Sequence, residues 1–330
     1  MDGRKAVEED KPSHLRAYLI VLAVNVLQIS TGAVMGWTSP SLPKLNLTTH
    51  EQSLVGSLYS LGAAPGPFIV TFGLNTIGRK GVIYVLWACF MSSWIIMASS
   101  QNLYVIYIAR LMGGIGVGGT CSGVPVYIAE VALRAILLEK ENSVSFLVGI
   151  RKPVALKALG LGIFVVAMQQ FQGVNPINAY NQIIFEQADL NFPAKHVPVI
   201  YLFVGMVFLL LPVLLVNKLF GVKTAYIASG FGASISLALL GLYFYLINSG
   251  GVDMHDYSYI SVVFLVLFSL FSHLGVSPLS WPIVAEILPL SVKGVCTGIC
   301  GCISSLIGFL YLAVFPSIAK NYGYSTDFFG

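Results

Sequence analysis

Long apolar stretches constrain this chain more than any other feature of its sequence. A helix that crosses a membrane needs about 20 mainly apolar residues, at about 1.5 Å of rise per residue. Nine stretches meet this requirement: 17–37, 53–75, 82–99, 103–130, 158–185, 197–217, 224–247, 259–288 and 295–319. The sequence therefore predicts an all-α polytopic membrane protein with about nine transmembrane helices.

The composition agrees with a chain that faces lipid. Of the 330 residues, 56% are hydrophobic and only 10% are charged, whereas a soluble domain carries about 25% charged residues. The net charge of +4 is modest, and no basic residues cluster among stacking aromatics, so we expect no nucleic-acid partner. The lipid bilayer is the expected environment.

The cysteines and the first sixteen residues argue against a disulfide-bonded protein, a metal site and a removable signal peptide. All five cysteines lie in apolar stretches, which indicates packing thiols rather than a disulfide framework. Metal binding is disfavoured because neither histidine nor carboxylate lies near Cys296, Cys300 and Cys302, and we expect no metal and no cofactor. The first sixteen residues are polar and charged, without the apolar core of a removable signal peptide.

Loop charge predicts the orientation of the spans. With a cytoplasmic amino terminus, cytoplasmic segments hold fourteen Lys and Arg residues and external segments hold three, which fits the positive-inside rule. The tripeptide Asn46-Leu47-Thr48 is an N-glycosylation sequon, and this orientation places Asn46 outside.

The same pattern predicts the domain organisation. Residues 1–16 form a cytoplasmic tail, and residues 17–131 form an amino-terminal bundle of four helices. Residues 132–157 form a cytoplasmic linker that is too polar and short to cross, and residues 158–330 form a carboxyl-terminal bundle of about five helices.

Each half ends a span with a glutamate near a basic loop. Arg79 and Lys80 follow the second span, Glu130 ends the fourth, and Glu286 ends the eighth. Such duplication is typical of transporters, and these residues could clamp a cytoplasmic gate. Solvated positive-inside residues explain the same pattern equally well.

Glycines mark the places where helices can approach closely. They occur in the second span at Gly62 and Gly66, and in the fourth at five positions: Gly113, Gly114, Gly116, Gly118 and Gly119. Small residues of this kind let membrane helices pack backbone to backbone.

Amides are unusually frequent in the fifth span. Gln169, Gln172, Asn175, Asn178 and Asn181 recur every third residue, beside Gly173 and Pro176, which should break or kink the helix. Because amides in hydrocarbon are costly, we expect them to face a wet cavity. The alternative is polar contact between helices.

Several motifs together resemble the sugar-porter family of the major facilitator superfamily. They are Gly78-Arg79-Lys80, the run Arg110 to Glu130, Gln169-Gln170-x-x-Gly173-x-Asn175, Tyr180, Gly275-x-x-Pro278-x-x-Trp281 and Glu286. Gly36-Trp37-Thr38-Ser39-Pro40 is most similar to the facilitated trehalose transporter-like branch.

The resemblance implies the major facilitator fold and a sugar cavity. Gln169, Gln170 and Asn175 would hydrogen-bond sugar hydroxyls, and Trp281 would stack on the sugar ring. Tyr180 would close the outer gate. Relatives frequently have an amide on the next-to-last helix, where this chain has Ser304 or Ser305.

The chain also departs from the family pattern. The family has twelve spans, so two central helices are expected to be missing around 132–157, as is the last helix. The missing fifth helix carries a sugar-contacting glutamine in relatives. We therefore expect an incomplete major facilitator fold.

The coupling mechanism follows from the charges. Proton-coupled relatives pair a carboxylate of the first helix with an arginine of the fourth, but no Asp or Glu occurs between Asp10 and Glu51. Arg110 is then a buried charge without that partner, and no proton site is evident. The prediction is facilitated uniport of trehalose or a hexose by alternating access.

Two classes of function thus remain open. The first is this sugar uniporter, expected in the plasma membrane, and the second is a truncated, non-transporting homologue that acts as an interaction or regulatory protein. An enzyme is not expected, because no span carries a nucleophile–base pair or a metal set. The sequence leaves the oligomeric state open.

Overall fold

The described part of the chain is built from helices joined by short turns. A computed structural model describes residues 26–136, 153–187, 197–209, 212, 221–248, 259–289 and 293–322. The helices are α1 (26–36), α2 (Thr38–Ser41), α3 (Thr49–Ala63), α4 (Gly66–Thr76), α5 (Gly78–Ser99), α6 (Leu103–Ile136), α7 (Pro153–Phe171), α8 (Val174–Gln187), α9 (Val197–Phe208), α10 (Gly221–Asn248), α11 (Tyr259–Leu274), α12 (Val276–Ile287) and α13 (Lys293–Tyr322).

Seven helical stretches within these residues are long and apolar enough to cross a membrane. They are Thr49–Leu74, Lys80–Ser99, Leu103–Val124, Ala155–Ile184, Gly221–Leu246, Tyr259–Ile287 and Lys293–Ile318. The two other predicted spans, 17–37 and 197–217, lie only partly within the described residues, which there form α1 and α9. The predicted all-α polytopic membrane architecture is confirmed.

The predicted tail and linker stay predictions. The tail, 1–16, lies outside the described residues, and so does most of the linker at 132–157. At its edges, α6 continues to Ile136 and α7 begins at Pro153.

Three of the spans consist of two helices with a break between them. The breaks lie at Pro65, at Gly173 and at Gly275. Gly173 has φ of 90°, a left-handed conformation that glycine adopts without steric penalty. Pro176 is tolerated because it lies in the first turn of α8, where a missing N–H leaves no intrahelical bond unmade. The break predicted at this level is confirmed at Gly173.

Close backbone contact joins α6 to α3 and α4. A Cβ atom at Gly118 would overlap the carbonyl oxygen of Ala63, and one at Gly66 would overlap the backbone of Gly119. These helices can approach this closely only because both surfaces lack side chains there. The packing role predicted for the glycines is confirmed.

The thiols of α13 pack rather than pair. Cys296 and Cys300 are fully buried in a cluster with Val166 of α7 and Val284 of α12. All five cysteines are free. This contact fixes α13 against α7, and both helices contribute to the cavity described below.

The amino-terminal and carboxyl-terminal halves meet mainly through α13. This helix packs against α3 and α4 as well as α7. The Ser60 hydroxyl of α3 donates to the carbonyl oxygen of Ser305 at 2.9 Å, and Pro67 of α4 lies against Gly298 and Gly301. The interface between the two halves therefore extends along α13, from its contacts with α4 at Gly298 and Gly301 to its contact with α3 at Ser305.

Candidate functional site

A cavity of about 210 Å³ lies between the two halves. An engineered cavity of about 150 Å³ accommodates benzene, so a six-membered ring fits here. The polar groups of its wall come from Tyr59, Ser60 and Ser122 of the first half and from Gln169, Gln170, Asn175, Ser277, Ser304 and Ser305 of the second.

A chain of three side chains forms the polar centre of the cavity. Asn175 Nδ2 donates to Gln170 Oε1 at 2.6 Å, and Gln170 Nε2 donates to Ser304 Oγ at 2.7 Å. The break at Gly173 places Asn175 beside Gln170, five positions earlier, although they lie on different helices. The structure thus brings together three of the predicted binding residues, and it selects Ser304 rather than Ser305 as the side-chain partner of Gln170.

Gln169 is not part of this chain of hydrogen bonds and is held by a backbone group instead. Its Nε2 donates to the carbonyl oxygen of Ser277 at 3.1 Å, two residues beyond the break at Gly275. Its Oε1 is buried and has no hydrogen-bond partner among the described residues. A buried acceptor without a donor costs free energy, about 1–3 kcal/mol.

Trp281 supplies an aromatic surface in the same wall. It is half-buried and packs close to Gly301, and Val117, Val174 and Pro67 add apolar surface. An arrangement of amides and hydroxyls beside an aromatic ring suits a ligand that has hydroxyl groups around a small apolar face.

Tyr180 lies outward of the cavity along α8, toward the end where α3 begins. It is 3% exposed, stacks on Phe315 at a centroid distance of 5.5 Å, and donates to the carbonyl oxygen of Leu312 at 3.2 Å. Its hydroxyl fits against Gly56, where a side chain would overlap it. Tyr180 therefore joins both halves at this level, as an outer gate requires, and the gate role stays a prediction.

Arg110 is fully buried and bound by groups that carry no charge. It donates to the carbonyl oxygen of Val55 at 3.0 Å, to that of Val34 at 2.5 Å, and to Thr38 Oγ1 at 2.7 Å. Its guanidinium carbon also lies 4.8 Å from the ring centre of Tyr59 and 5.6 Å from that of Trp37. A buried cation needs such compensation. We call this arrangement the arginine cage.

The predicted cytoplasmic clamp is not assembled in the described residues. Lys80 and Glu286 are both exposed, and no ion pair is found among the side chains that the structure describes. The side chains of Arg79 and Glu130 lie outside that set, so the clamp stays a prediction.

The sequon lies on an exposed turn. Asn46 is exposed with φ of 44°, and Thr48 begins α3 as its N-cap. Thr48 Oγ1 accepts from the backbone N–H of Glu51 at 3.4 Å, and the Thr48 N–H donates to the Glu51 carboxylate at 2.9 Å. This capping box fixes the start of the helix, and Asn46 is accessible beside it.

Four polar residues of the cavity wall were not singled out from the sequence: Tyr59, Ser60, Ser122 and Ser277. Ser60 belongs to a stripe of buried hydroxyls, Ser53, Ser57 and Ser60, at the spacing of one helix face, and that spacing was the available signal. Ser277 acts through its carbonyl oxygen, for which no side-chain pattern exists.

Known proteins resemble this chain over most of its length. The family described as sugar (and other) transporter matches residues 8–137 and 135–330. The chain is 23% identical to the bovine (Bos taurus) solute carrier family 2, facilitated glucose transporter member 8, over 94% of this chain and 87% of the relative. It is 25% identical to sugar transporter ERD6-like 6 of Arabidopsis thaliana, over 89% and 80%. It is 20% identical to the facilitated trehalose transporter Tret1 of Culex quinquefasciatus, over 92% and 78%.

The bovine alignment also shows that the chain is shorter than the relative over the matched region. It covers 416 positions but only about 310 residues of this chain, so about a hundred positions of the relative have no counterpart here. The two family segments meet at 135–137, inside the linker predicted at 132–157.

Solved structures share the fold. A crystal structure of a D-xylose-proton symporter superposes with a TM-score of 0.71 at 18% identity, covering 92% of this chain and 90% of that one. The inward-open xylose transporter XylE from E. coli gives 0.68 at 16% identity, covering 93% and 91%. The incomplete major facilitator fold is thereby confirmed, and with both segments matched the chain belongs to the sugar (and other) transporter family.

Proposed function

We propose that this chain carries a sugar across the membrane by alternating access, as a uniporter. The observation that carries the proposal is the chain of Asn175, Gln170 and Ser304 in a cavity between the two halves. A site at the interface of two halves is reached from either side when the halves rock against each other.

A single pyranose ring is the ligand that fits best. The cavity of about 210 Å³ has room for one six-membered ring, whereas a disaccharide needs two. Among the relatives, one name specifies glucose and another trehalose. A hexose of the glucose type is therefore the first candidate, and trehalose is the second.

The arginine cage supports uniport. Within the described residues no carboxylate contacts Arg110, whose donors bind carbonyl oxygens and a hydroxyl instead. Carbonyls do not titrate in the accessible pH range, so this part of the protein offers no proton site. Transport then follows the sugar gradient alone.

The orientation and location follow the sequence. Loop charge favours a cytoplasmic amino terminus, the exposed Asn46 is a suitable external glycosylation site, and the plasma membrane is the proposed location.

A second candidate function is a non-transporting interaction protein. The absence of about a hundred positions relative to the bovine transporter favours it, because helices of the first half are expected among them. Such a chain would retain the sugar site without completing a transport cycle.

Counterflow in proteoliposomes separates the two candidates. The purified chain is reconstituted into vesicles, which are loaded with unlabelled glucose or trehalose. Entry of the labelled sugar into the vesicles is then followed with and without a pH gradient across their membrane. We expect glucose counterflow that does not depend on the gradient. Counterflow driven by external acid would contradict uniport, and a folded chain that binds glucose without counterflow would support the second candidate.

A matched pair of variants ties the activity to the cavity. Gln170→Leu removes both bonds of the polar chain, and we expect sugar affinity to fall by about tenfold or more, at about 1.4 kcal/mol per factor of ten. Ser234→Ala is the control, since Ser234 is exposed on α10 and bonds only within its own helix. Equal affinities in the two variants would contradict the site.

A further inference from the structure

A fully buried amide on α8 has no hydrogen-bond partner in the part of the chain that the structure describes. Asn181 is 1% exposed, and neither its Oδ1 nor its Nδ2 bonds to a described residue. It does not line the cavity. A buried polar group without a partner costs free energy, and a leucine, which has a similar shape and no polar atom, would avoid that cost.

Asn181 faces the first half of the protein. Tyr180, the residue before it, fits against Gly56 of α3, and the backbone N–H of Gln182, the residue after it, donates to Ser39 Oγ of α2 at 3.2 Å. Successive residues of an α-helix are about 100° apart around its axis, so Asn181 lies between these two contacts. We call the contact of α8 with α2 and α3 the outer seam.

The free-energy cost of the buried amide depends on whether the outer seam is closed. In this structure the seam is closed, and the amide is covered by the other half. When α8 separates from α2 and α3, as the proposed alternating access requires at this end, the amide is exposed to water and bonds to it. The penalty for an unpaired polar group therefore falls on the closed state alone.

We infer that Asn181 shifts the equilibrium of the outer seam toward its open state. A group that finds hydrogen bonds in only one of two states changes the populations by the difference in its free energy between them. Asn181 is then a gating residue that acts without touching the transported sugar. The inference rests on the proposed function, because it assumes that the seam opens during alternating access.

A cysteine at position 39 reports the opening of the outer seam. Ser39 is 2% exposed, so the thiol of Ser39→Cys is shielded in the closed state and reacts with a charged methanethiosulfonate when the seam opens. The rate of labelling is measured on the full chain in detergent, without sugar. The chain that keeps Ser39 gives the background from the five native cysteines.

Asn181→Leu should slow the labelling of Ser39→Cys. Because leucine removes the penalty from the closed state, we expect the rate to fall by about 5- to 150-fold, the factor that corresponds to one buried unpaired group. Misfolding cannot produce this result, since an unfolded chain exposes the thiol and is labelled faster.

Thr120→Val is the matched control, tested with Ser39→Cys in the same way. Thr120 of α6 is fully buried, and its hydroxyl has no partner among the described residues. It lies one turn from Gly116, which contacts Phe90 of α5, so its surroundings belong to a single half. Removing this hydroxyl should leave the rate of labelling unchanged.

The outcomes separate this inference from the proposed function. A rate unchanged in Asn181→Leu, or slowed as much in Thr120→Val, would overturn the inference and leave sugar transport intact. Labelling rates in the expected order, together with absent sugar counterflow, would support the gating role and contradict transport. No labelling of Ser39→Cys in any variant would contradict opening of the outer seam, and with it both proposals.

Discussion

At the residue scale, Arg110 holds three elements together. Its donors reach the last turn of α1 at Val34, the first residue of α2 at Thr38, and α3 at Val55. Because each N–H points to a fixed acceptor, the planar guanidinium uses the fork geometry that distinguishes arginine from lysine.

Replacing Arg110 should therefore destabilise the amino-terminal half. Arg110→Met leaves two carbonyls and a hydroxyl buried without donors, at about 1–3 kcal/mol for each, and we expect a clear fall in the melting temperature in detergent. Arg110→Lys should lie between Met and the original chain, because a lysine cannot occupy all three acceptors in the same geometry.

Lys157→Met is the control for loss of a cation. Lys157 is exposed at the start of α7, and a surface change of this kind stays within about 0.5 kcal/mol. An Arg110→Met protein as stable as Lys157→Met would show that the cage does not stabilise the fold.

At the residue scale, the sequence located the polar part of the cavity only in part. Gln169, Gln170, Asn175 and Trp281 line the cavity. Gln172, Asn178 and Asn181 were expected to face it too, but they do not line it, and they have buried polar atoms without a hydrogen-bond partner among the described residues. The bond from Gln170 to Ser304 spans 134 positions, and Ser60 resembles any small residue of a packed helix. Contacts of that kind depend on how helices are arranged, which no local pattern encodes.

At the element scale, the contact between α6 and α3 depends on the absence of side chains. Gly118→Ala would place a methyl group against the carbonyl oxygen of Ala63, and backbone cannot move aside as a flexible side chain can. We expect strongly reduced folding yield and a lowered melting temperature, measured by fluorescence-detected size exclusion and thermal unfolding.

Gly160→Ala is the matched control. Gly160 lies on α7 with nothing within 4 Å of its Cβ position, and alanine favours a helix interior over glycine by about 1 kcal/mol. This variant should be as stable as the original chain or more so. Equal behaviour of the two variants would contradict the close-packing role of α6.

The spans were predicted well at this scale because hydrocarbon thickness imposes a length. Breaks were harder. Gly173 was identified because amides and Pro176 accompany it, whereas the breaks at Pro65 and Gly275 lie in segments that read as continuous apolar runs. Hydropathy indicates whether a segment lies in the membrane, but it does not indicate where the helix breaks within that segment.

At the scale of the whole molecule, the two halves are in contact outside the cavity. The backbone N–H of Gln182 on α8 donates to Ser39 Oγ at 3.2 Å, near the end where Tyr180 stacks on Phe315. Opening to that side requires these contacts to separate.

Linking the halves at this point should arrest transport. In Ser39→Cys/Gln182→Cys, a short bifunctional thiol reagent joins the two halves, and we expect labelled-sugar counterflow to be lost on cross-linking. Ser39→Cys alone and Gln182→Cys alone, each treated with the same reagent, are the controls for reaction with the five native cysteines, and both should keep their activity. Undiminished counterflow in the cross-linked protein would contradict alternating access through this end.

The arginine cage has a consequence for how the protein responds to its surroundings. The hydrogen-bond acceptors of Arg110 in the described residues are two peptide oxygens and an alcohol, which bond in the same way in acidic and in neutral surroundings. None of these three hydrogen-bond partners, all within the described residues, gains or loses a proton when the pH changes. A cell that acidified its exterior would leave this corner of the protein unchanged.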